Sequence, residues 1–446
     1  MSTQKRNLLI GIILLIIACV FFFVLKGAGT KKNNEKKAEE SEKYLYQMED
    51  AQVNKYIISD DSEKITLKKE SDTNWHIQGQ EKVELMQLSI DQAVEYLKTL
   101  EYTQVIDNGS ERLSDFGLDR GITAEAVADD GRTMKVTVGN TTVDQKGYYI
   151  LKDGDPNVYV IDAECGKALS YTPSLFRNKY PEYVDYSNIN YIDIKRKNGK
   201  SFRITPNPTG EITDGYGEYL LTGAYSWSIP ILTDKLSKNI GGPLYEIVAN
   251  DFIDDPKDDS AYGFDDPQLI CQIVDKAGRS CTITIGNSAG ANTVYAKFSG
   301  KNYVCTVLKE KSDKIMNVNL FDIIGKYFIN DDANAFSEIE LAGSGVSSKF
   351  EIDGKNNKVS LNGNNIDIDT FKDMYRNIAG LTIDGEADES KAGEPVLRMV
   401  LTKSDGESTI YQFLEYDSNY YAVSRNGYIE FLTGKRNIDN LIKAVK

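Results

Sequence analysis

Three features of the sequence predict an α+β fold of tandem repeats, each an antiparallel sheet with a packed helix, after one N-terminal transmembrane helix. The first is a duplicated stretch. Residues 116–140, FGLDRGITAEAVADDGRTMKVTVGN, recur at 262–287 as YGFDDPQLICQIVDKAGRSCTITIGN. Both run from an aromatic-Gly-apolar-Asp turn through an apolar strand and a Gly-Arg turn to a strand ending Gly-Asn. The second is alternation in the closing strands. Met134, Val136 and Val138 share one face, Cys281, Ile283 and Ile285 take the same places in the second copy, and threonines occupy the other face, which is the period of a half-buried strand. The third is Leu8–Leu25, eighteen residues without a charge and close to the minimum for a membrane-spanning helix.

Taken in order, residues 1–29 read as a cytoplasmic start and membrane anchor, and 30–43 as a polar stalk. An uncleaved signal anchor is preferred for Leu8–Leu25, although a lipoprotein signal at Cys19 and a cleaved secretory signal stay open. Residues 1–37 carry seven Lys/Arg against one Glu, a local +6 that leaves −21 of the chain's −15 net charge for the rest. That acidic body argues against nucleic-acid binding. The lysines after the span favour a cytoplasmic body by charge alone, but long domains translocate despite such charges. The body is therefore expected outside the cytoplasm, on a single-pass anchor in the cell membrane.

Repeat 1 is assigned to 44–186. Val53–Ser59, Lys64–Lys68 and Trp75–Ile77 read as strands. Ser89 reads as a helix N-cap ahead of a stripe of Ala93, Val94, Leu97 and Leu100. A strand at Thr103–Asp107, the FGLD turn and its hairpin follow, then Tyr148–Lys152 and Val158–Asp162 across an Asp-Gly turn. Repeat 2, 187–327, keeps this order. Trp227-Ser228-Ile229 is matched to Trp75-His76-Ile77, Leu244–Val248 is read as a strand, and Val294–Phe298 and Tyr303–Val307 form the second hairpin. Residues 333–446 read as a degenerate third copy, with a helical stripe of Phe371, Met374, Tyr375 and Ile378, a run at Leu381–Asp384, and Tyr411 and Phe413 in the places of Ile283 and Ile285. An atypical last copy suits a capping repeat. The repeat markers are thus Trp75, Gly117, Asp119 and Gly139, matched by Trp227, Gly263, Asp265 and Gly286.

A tryptophan strand, a helix, aromatic-Gly-Leu-Asp, a strand ending Gly-Asn and a tyrosine-rich hairpin together resemble the bacterial domain-of-unknown-function 4340 family. The resemblance is best in repeat 1, weaker in repeat 2, where Phe264 replaces Leu118, and weakest in repeat 3. It implies a membrane-anchored envelope protein, and some members are similar to components that accompany gliding-type ABC exporters. The family supplies no catalytic residues to carry over.

Motifs with chemistry are few. Gly286-Asn287-Ser288-Ala289-Gly290 has the form of a nucleophile elbow, but a strand follows it instead of a helix, and the sole histidine, His76, precedes it. His76 reads as a strand-face residue. Gly199-Lys200-Ser201 lacks the leading glycine of a phosphate loop. The four cysteines beyond Cys19 form no CxxC pair, so zinc is not expected. Cys281 reads as a small core residue in place of Met134, in preference to a disulfide with Cys271. Asp251, Asp254, Asp255, Asp258 and Asp259 are a weak calcium candidate without EF-hand spacing. No cofactor is expected. The resulting expectation is a non-enzymatic, extracytoplasmic binding or scaffold protein, accessory to an ABC-type exporter by resemblance. The alternative is a cell-surface hydrolase using paired carboxylates on glycan, which would show two buried carboxylates in one cleft.

Overall fold

A computed structural model describes residues 43–61, 63–70, 74–208 and 216–445. The span Leu8–Leu25, Cys19 and nearly all of the stalk lie outside these. Among the described residues no helix is long and apolar enough to cross a membrane.

Three antiparallel sheets with a few helices make up the fold. The first contains β1 (Val53–Ser59), β2 (Lys64–Glu70), β3 (Asn74–Ile77), β4 (Gln104–Ile106), β5 (Ile122–Ala128), β6 (Thr133–Thr141), β7 (Gly147–Lys152) and β8 (Val158–Asp162), in the order β3-β2-β1-β5-β6-β7-β8-β4. Strands β1–β3 and β5–β8 are two meanders that join where β1 pairs with β5, and β4 adds to the β8 edge. Helix α1 (Gln87–Lys98) connects them across one face, and α2 (Ala163–Leu169) follows β8 onto α1. Ile90, Ala93, Val94 and Leu97 of α1 are buried, as are Met134, Val136 and Val138 of β6, so the two apolar stripes cover each other.

The second sheet contains β9 (Ile189–Arg196), β10 (Phe202–Pro206), β11 (Tyr216–Thr222), β12 (Ile229–Leu232), β13 (Asp251–Ile253), β14 (Leu269–Asp275), β15 (Ser280–Ser288), β16 (Thr293–Phe298) and β17 (Val304–Leu308). Its order, β12-β11-β10-β9-β14-β15-β16-β17-β13, is that of the first with one more edge strand. The connecting helical segment is α3 (Thr233–Leu236), a π turn (Ser237–Gly241) and α4 (Gly242–Tyr245). Helices α5 (Lys309–Met316) and α6 (Leu320–Ile323) close the repeat. The third sheet, with β18 (Phe336–Gly343), β19 (Val346–Asp353), β20 (Lys358–Leu361), β21 (Asn364–Ile366), β22 (Gly385–Glu386), β23 (Pro395–Lys403), β24 (Ser408–Glu415), β25 (Tyr420–Arg425) and β26 (Tyr428–Gly434), repeats the nine-strand order. Its helices are α7 (Ile368–Ala379) and α8 (Lys435–Val445).

Backbone hydrogen bonds place the start of each repeat. Tyr102 N donates to Lys43 O, Ala249 N to Lys179 O and Ile383 N to Lys326 O, the same link three times. Repeats therefore open at Lys43, Lys179 and Lys326, and residues 179–186, assigned above to the first repeat, begin the second; Val184 sits in its core. The chain divides into two compact units, the first closing at Asn178 and the second running Lys179–Lys446, because one continuous apolar core joins the second and third sheets.

Four expectations need correction. Helix α1 starts at Gln87 and Ser89 caps nothing: the Gln87 side chain accepts from Trp75 N at 2.6 Å and donates to Trp75 O at 3.0 Å, which fixes the first turn earlier. Leu244 is helical, because Leu236, Ile240 and Leu244 continue one buried stripe; the strand comes later, as β13. The π turn lies just before Pro243, which has no N–H for the ladder. Within 381–384, Leu381 and Ile383 pair with the 326–328 segment, and the strand of the third sheet is β22.

The fourth concerns Trp227, which is on no strand. Register settles its relation to Trp75. Leu67 of β2 faces Ile77, and Ile204 of β10 faces Leu221, with Leu67 and Ile204 equivalent through Tyr56 and Ile192. Two residues back, Trp75 therefore corresponds to Tyr219. Trp227 belongs to a bend, 223–228, that the first repeat lacks, since the Gln87 amide there takes the place of β12.

A candidate binding cleft in the second unit

The glycine markers form one device, used twice. Gly117 (φ 69°) and Gly263 (φ 80°) adopt left-handed backbone after their aromatic residues. A Cβ on Gly117 would lie 2.5 Å from the Asn140 side chain, and one on Gly263 2.4 Å from Asn287. A Cβ on Gly139 would meet Phe116 O at 2.3 Å, and one on Gly286 would meet Tyr262 O at 2.1 Å. The aromatic-Gly turn and the Gly-Asn strand end thus interlock, and both halves of the motif require glycine. The turn's ring then packs on the sheet's second face, Phe116 tilted against Tyr149 and Tyr262 edge-on to Tyr295, each pair with centroids 5.0 Å apart. That contact accounts for Tyr149 and Tyr295 among the tyrosines of the second hairpins. Asp119 follows in a short 3-10 turn, and Asp265 is exposed beyond Phe264.

Trp75 is buried against α1, where its Nε1 donates to Asp91 at 2.8 Å. Trp227 does something else. Its bend, on the second repeat, docks on the third. Tyr225 Oη donates to Glu386 at 2.9 Å, and Ser226 N and Oγ donate to the Glu430 carboxylate at 2.9 and 2.7 Å. Phe431 meets Trp227 edge-on, and the Arg425 guanidinium lies 4.5 Å from the Trp227 ring centre.

Beside this contact is a cleft of about 750 Å³, within the range of small-molecule sites. One wall comes from β11 and β12, with Leu220 and Pro230. The other comes from β23, β24 and β25, with Leu401, Thr409, Tyr411 and Arg425. Between them runs the 324–331 segment, bridged to β12 at Ile231–Ile324 and to the stretch ahead of β22 at Tyr327–Thr382. The cleft is lined by Trp227 and Phe328, by the cations Lys326, Lys403 and Arg425, and by the carboxylates Asp331 and Glu407.

Most of these charges are engaged. Lys403 pairs with Asp331 at 2.8 Å, which raises the lysine above its ordinary range. Lys326 donates to Phe321 O and lies over the Phe321 ring; burial lowers its pKa. Glu407 is exposed on the β23–β24 turn. Arg425 differs. Its Nε donates to Tyr411 Oη at 3.2 Å, and Tyr411 Oη donates to Phe328 O at 3.2 Å. No carboxylate among the described residues pairs with it. Arg196 shows the contrast, since its guanidinium donates to the carbonyls of Lys200, Met316 and Val318.

The other candidates are not assembled. His76 faces Lys68 across β2–β3. Ser288 Oγ donates to Gly290 O and precedes β16. Gly199-Lys200-Ser201 is the β9–β10 turn. Cys165, Cys271, Cys281 and Cys305 are free and buried; Cys271 pairs with Ile283 and Cys281 with Ile273, so the two thiols are out of register for a disulfide. The aspartate run does not gather: Asp251 accepts from Thr306 and Asn250, Asp259 pairs with Lys297, and no metal-holding group of three or more His, Cys, Asp or Glu occurs among the described residues. Sequence reading missed Arg425 and the cleft. The available signal was position: Tyr411–Arg425 is the pair that reads Val136–Lys152 and Ile283–Phe298 in the other sheets, so a cation in the third copy stands where the second has a core ring.

The chain is thus a tandem-repeat protein of three antiparallel sheets with a few helices, with a cleft between the second and third sheets. The profile of the family described as Domain of unknown function (DUF4340) matches residues 75–267 and again 242–396, and the chain belongs to that family. Each matched stretch crosses a repeat boundary. No curated protein and no solved structure matches the chain.

Proposed function

We propose that this chain is a membrane-anchored, extracytoplasmic binding protein that holds a small ligand in the cleft of its second unit and serves as an accessory to an ABC-type exporter. The observation that carries the binding reading is the cleft itself: about 750 Å³, with an apolar wall, an aromatic pair and a partly unsatisfied cation. The anchor rests on the uncharged run Leu8–Leu25, and the exporter association on family resemblance. A carboxylate-based glycan hydrolase is disfavoured, because Asp331 is ion-paired with Lys403 and Glu407 is exposed, so the cleft does not present the two buried carboxylates expected of such an enzyme.

The test is a small-molecule screen of the full-length chain in lipid nanodiscs, read by thermal shift, beside a variant whose cleft is filled, Thr409→Trp. Ligands that stabilise the wild type and not the variant support the reading. Equal stabilisation of both, or of neither, overturns it. Protease added to wall-stripped cells should digest the body; protection until lysis refutes the orientation.

A further inference from the structure

The geometry points to an organic monocarboxylate with an apolar body as the ligand of this cleft, its carboxylate held by the two Nη groups of Arg425. This rests on the reading that the cleft binds a ligand.

Arg425 has five N–H donors in a planar fork, of which the structure uses one, Nε to Tyr411 Oη. The guanidinium is held on two sides, by the Trp227 ring and by the Tyr411 hydroxyl that Phe328 O fixes in turn. Its orientation is therefore set before any ligand arrives, which lowers the ordering cost of binding. A planar fork with both Nη free matches a carboxylate by two parallel bonds. Phosphate would also fit the fork, but its second charge would face Asp331 and Glu407. One negative charge suits a site with three cations and two carboxylates better than two do. Beyond the fork, Leu220, Pro230, Phe328 and Leu401 offer a wall for an apolar body. The body is acidic, so a carboxylate gains nothing from the protein's net charge and depends on this local cation.

The test uses the full chain in nanodiscs and two acid–amide pairs, 3-phenylpropionate with 3-phenylpropionamide and hexanoate with hexanamide, titrated by ligand-detected NMR. The first pair represents a ring-bearing body and the second a linear one. At least one acid should bind about tenfold to a hundredfold tighter than its amide, the range of a charge-assisted hydrogen-bonded pair. Arg425→Gln should erase that difference. Arg425→Lys, which keeps the charge but loses the fork, should retain only part of it and serves if the glutamine variant does not fold. Acid and amide binding alike, with both lost in Thr409→Trp, overturns the Arg425 assignment while the cleft reading stands. Binding that survives Thr409→Trp overturns both. Failure of both acids to bind overturns the carboxylate proposal.

Discussion

Replacing Trp75 by alanine gives the sharpest check on how the repeats are built. The ring is 1% exposed, lies between β3 and α1, and donates to Asp91. A buried tryptophan removes roughly 200 Å² from water, worth about 5 kcal/mol at 25 cal/mol/Å². Alanine retains a little of that and the site relaxes in part, so the expected cost is about 3–5 kcal/mol. Its register partner in the second repeat, Tyr219, is only partly buried, and Tyr219→Ala should cost less, about 1–2 kcal/mol. Hydrogen exchange read by mass spectrometry on the full chain separates the units. Trp75→Ala should speed exchange of the slowest amides in residues 43–178 and leave those of 179–445 unchanged. If Trp75→Ala costs under about 1.5 kcal/mol, or no more than Tyr219→Ala, the assignment of Trp75 to a covered β3–α1 face is wrong.

Three further outcomes are expected. Gly139→Ala and Gly286→Ala each press a methyl onto a backbone carbonyl and should destabilise their own repeat by about 1–3 kcal/mol, measured by urea unfolding; Gly131→Ala, with open space around it, should lose less through its positive φ alone. Burial pushes Cys165 and Cys305 up to about 12 and Cys281 up to about 11, so iodoacetamide at pH 8 should leave these thiols unlabelled until denaturant is added, and rapid native labelling would refute their placement. Burial would raise the Asp275 carboxyl, but the amides of Asp185 and Arg279 and the Arg279 guanidinium outweigh it and hold it below the usual range. Its contribution is therefore complete above the unfolded value of roughly 3.9 and lost as pH falls through the lower folded value. Melting from pH 5 to 2.5 should show a shallower acid slope for Asp275→Asn than for the wild type, and equal slopes would refute this.

What could be read from the sequence was local and periodic. The β5–β6 and β14–β15 hairpins carry their faces in alternation, the α1 and α7 stripes carry theirs at helical spacing, and the glycine motifs recur whole. Tyr411 and Phe413 fall in the register places of Ile283 and Ile285, as spacing alone suggested. The tryptophan match failed because a shared Trp-x-Ile triplet outweighed strand register, and nothing local says that the second repeat inserts a bend and an edge strand. Helix α2 was missed, being only seven residues. The cleft was invisible for a different reason. Its lining comes from stretches between Asn207 and Arg425, brought together by docking of two sheets, and no window of sequence contains it.

The β1–β5 seam has a consequence for how such a chain acquires its shape. Ser59 pairs with Thr123, and apart from the β4–β8 edge the strands on either side of that seam pair with neighbours in sequence. As the chain is made, β1, β2 and β3 can come together early, yet the free edge of β1 waits until β5 has emerged. At roughly 5–20 residues per second, that delay is on the order of several seconds, during which unpaired amides and carbonyls of an apolar strand face the surroundings. The same wait recurs at β9–β14 and β18–β23. Three half-built sheets, each with an adhesive central edge and each with the same pairing preference as its siblings, invite exchange between copies, in which one repeat's first meander closes on another's second. A slowed ribosome between Ser59 and Ile122 would lengthen that window and raise the yield of such swapped forms.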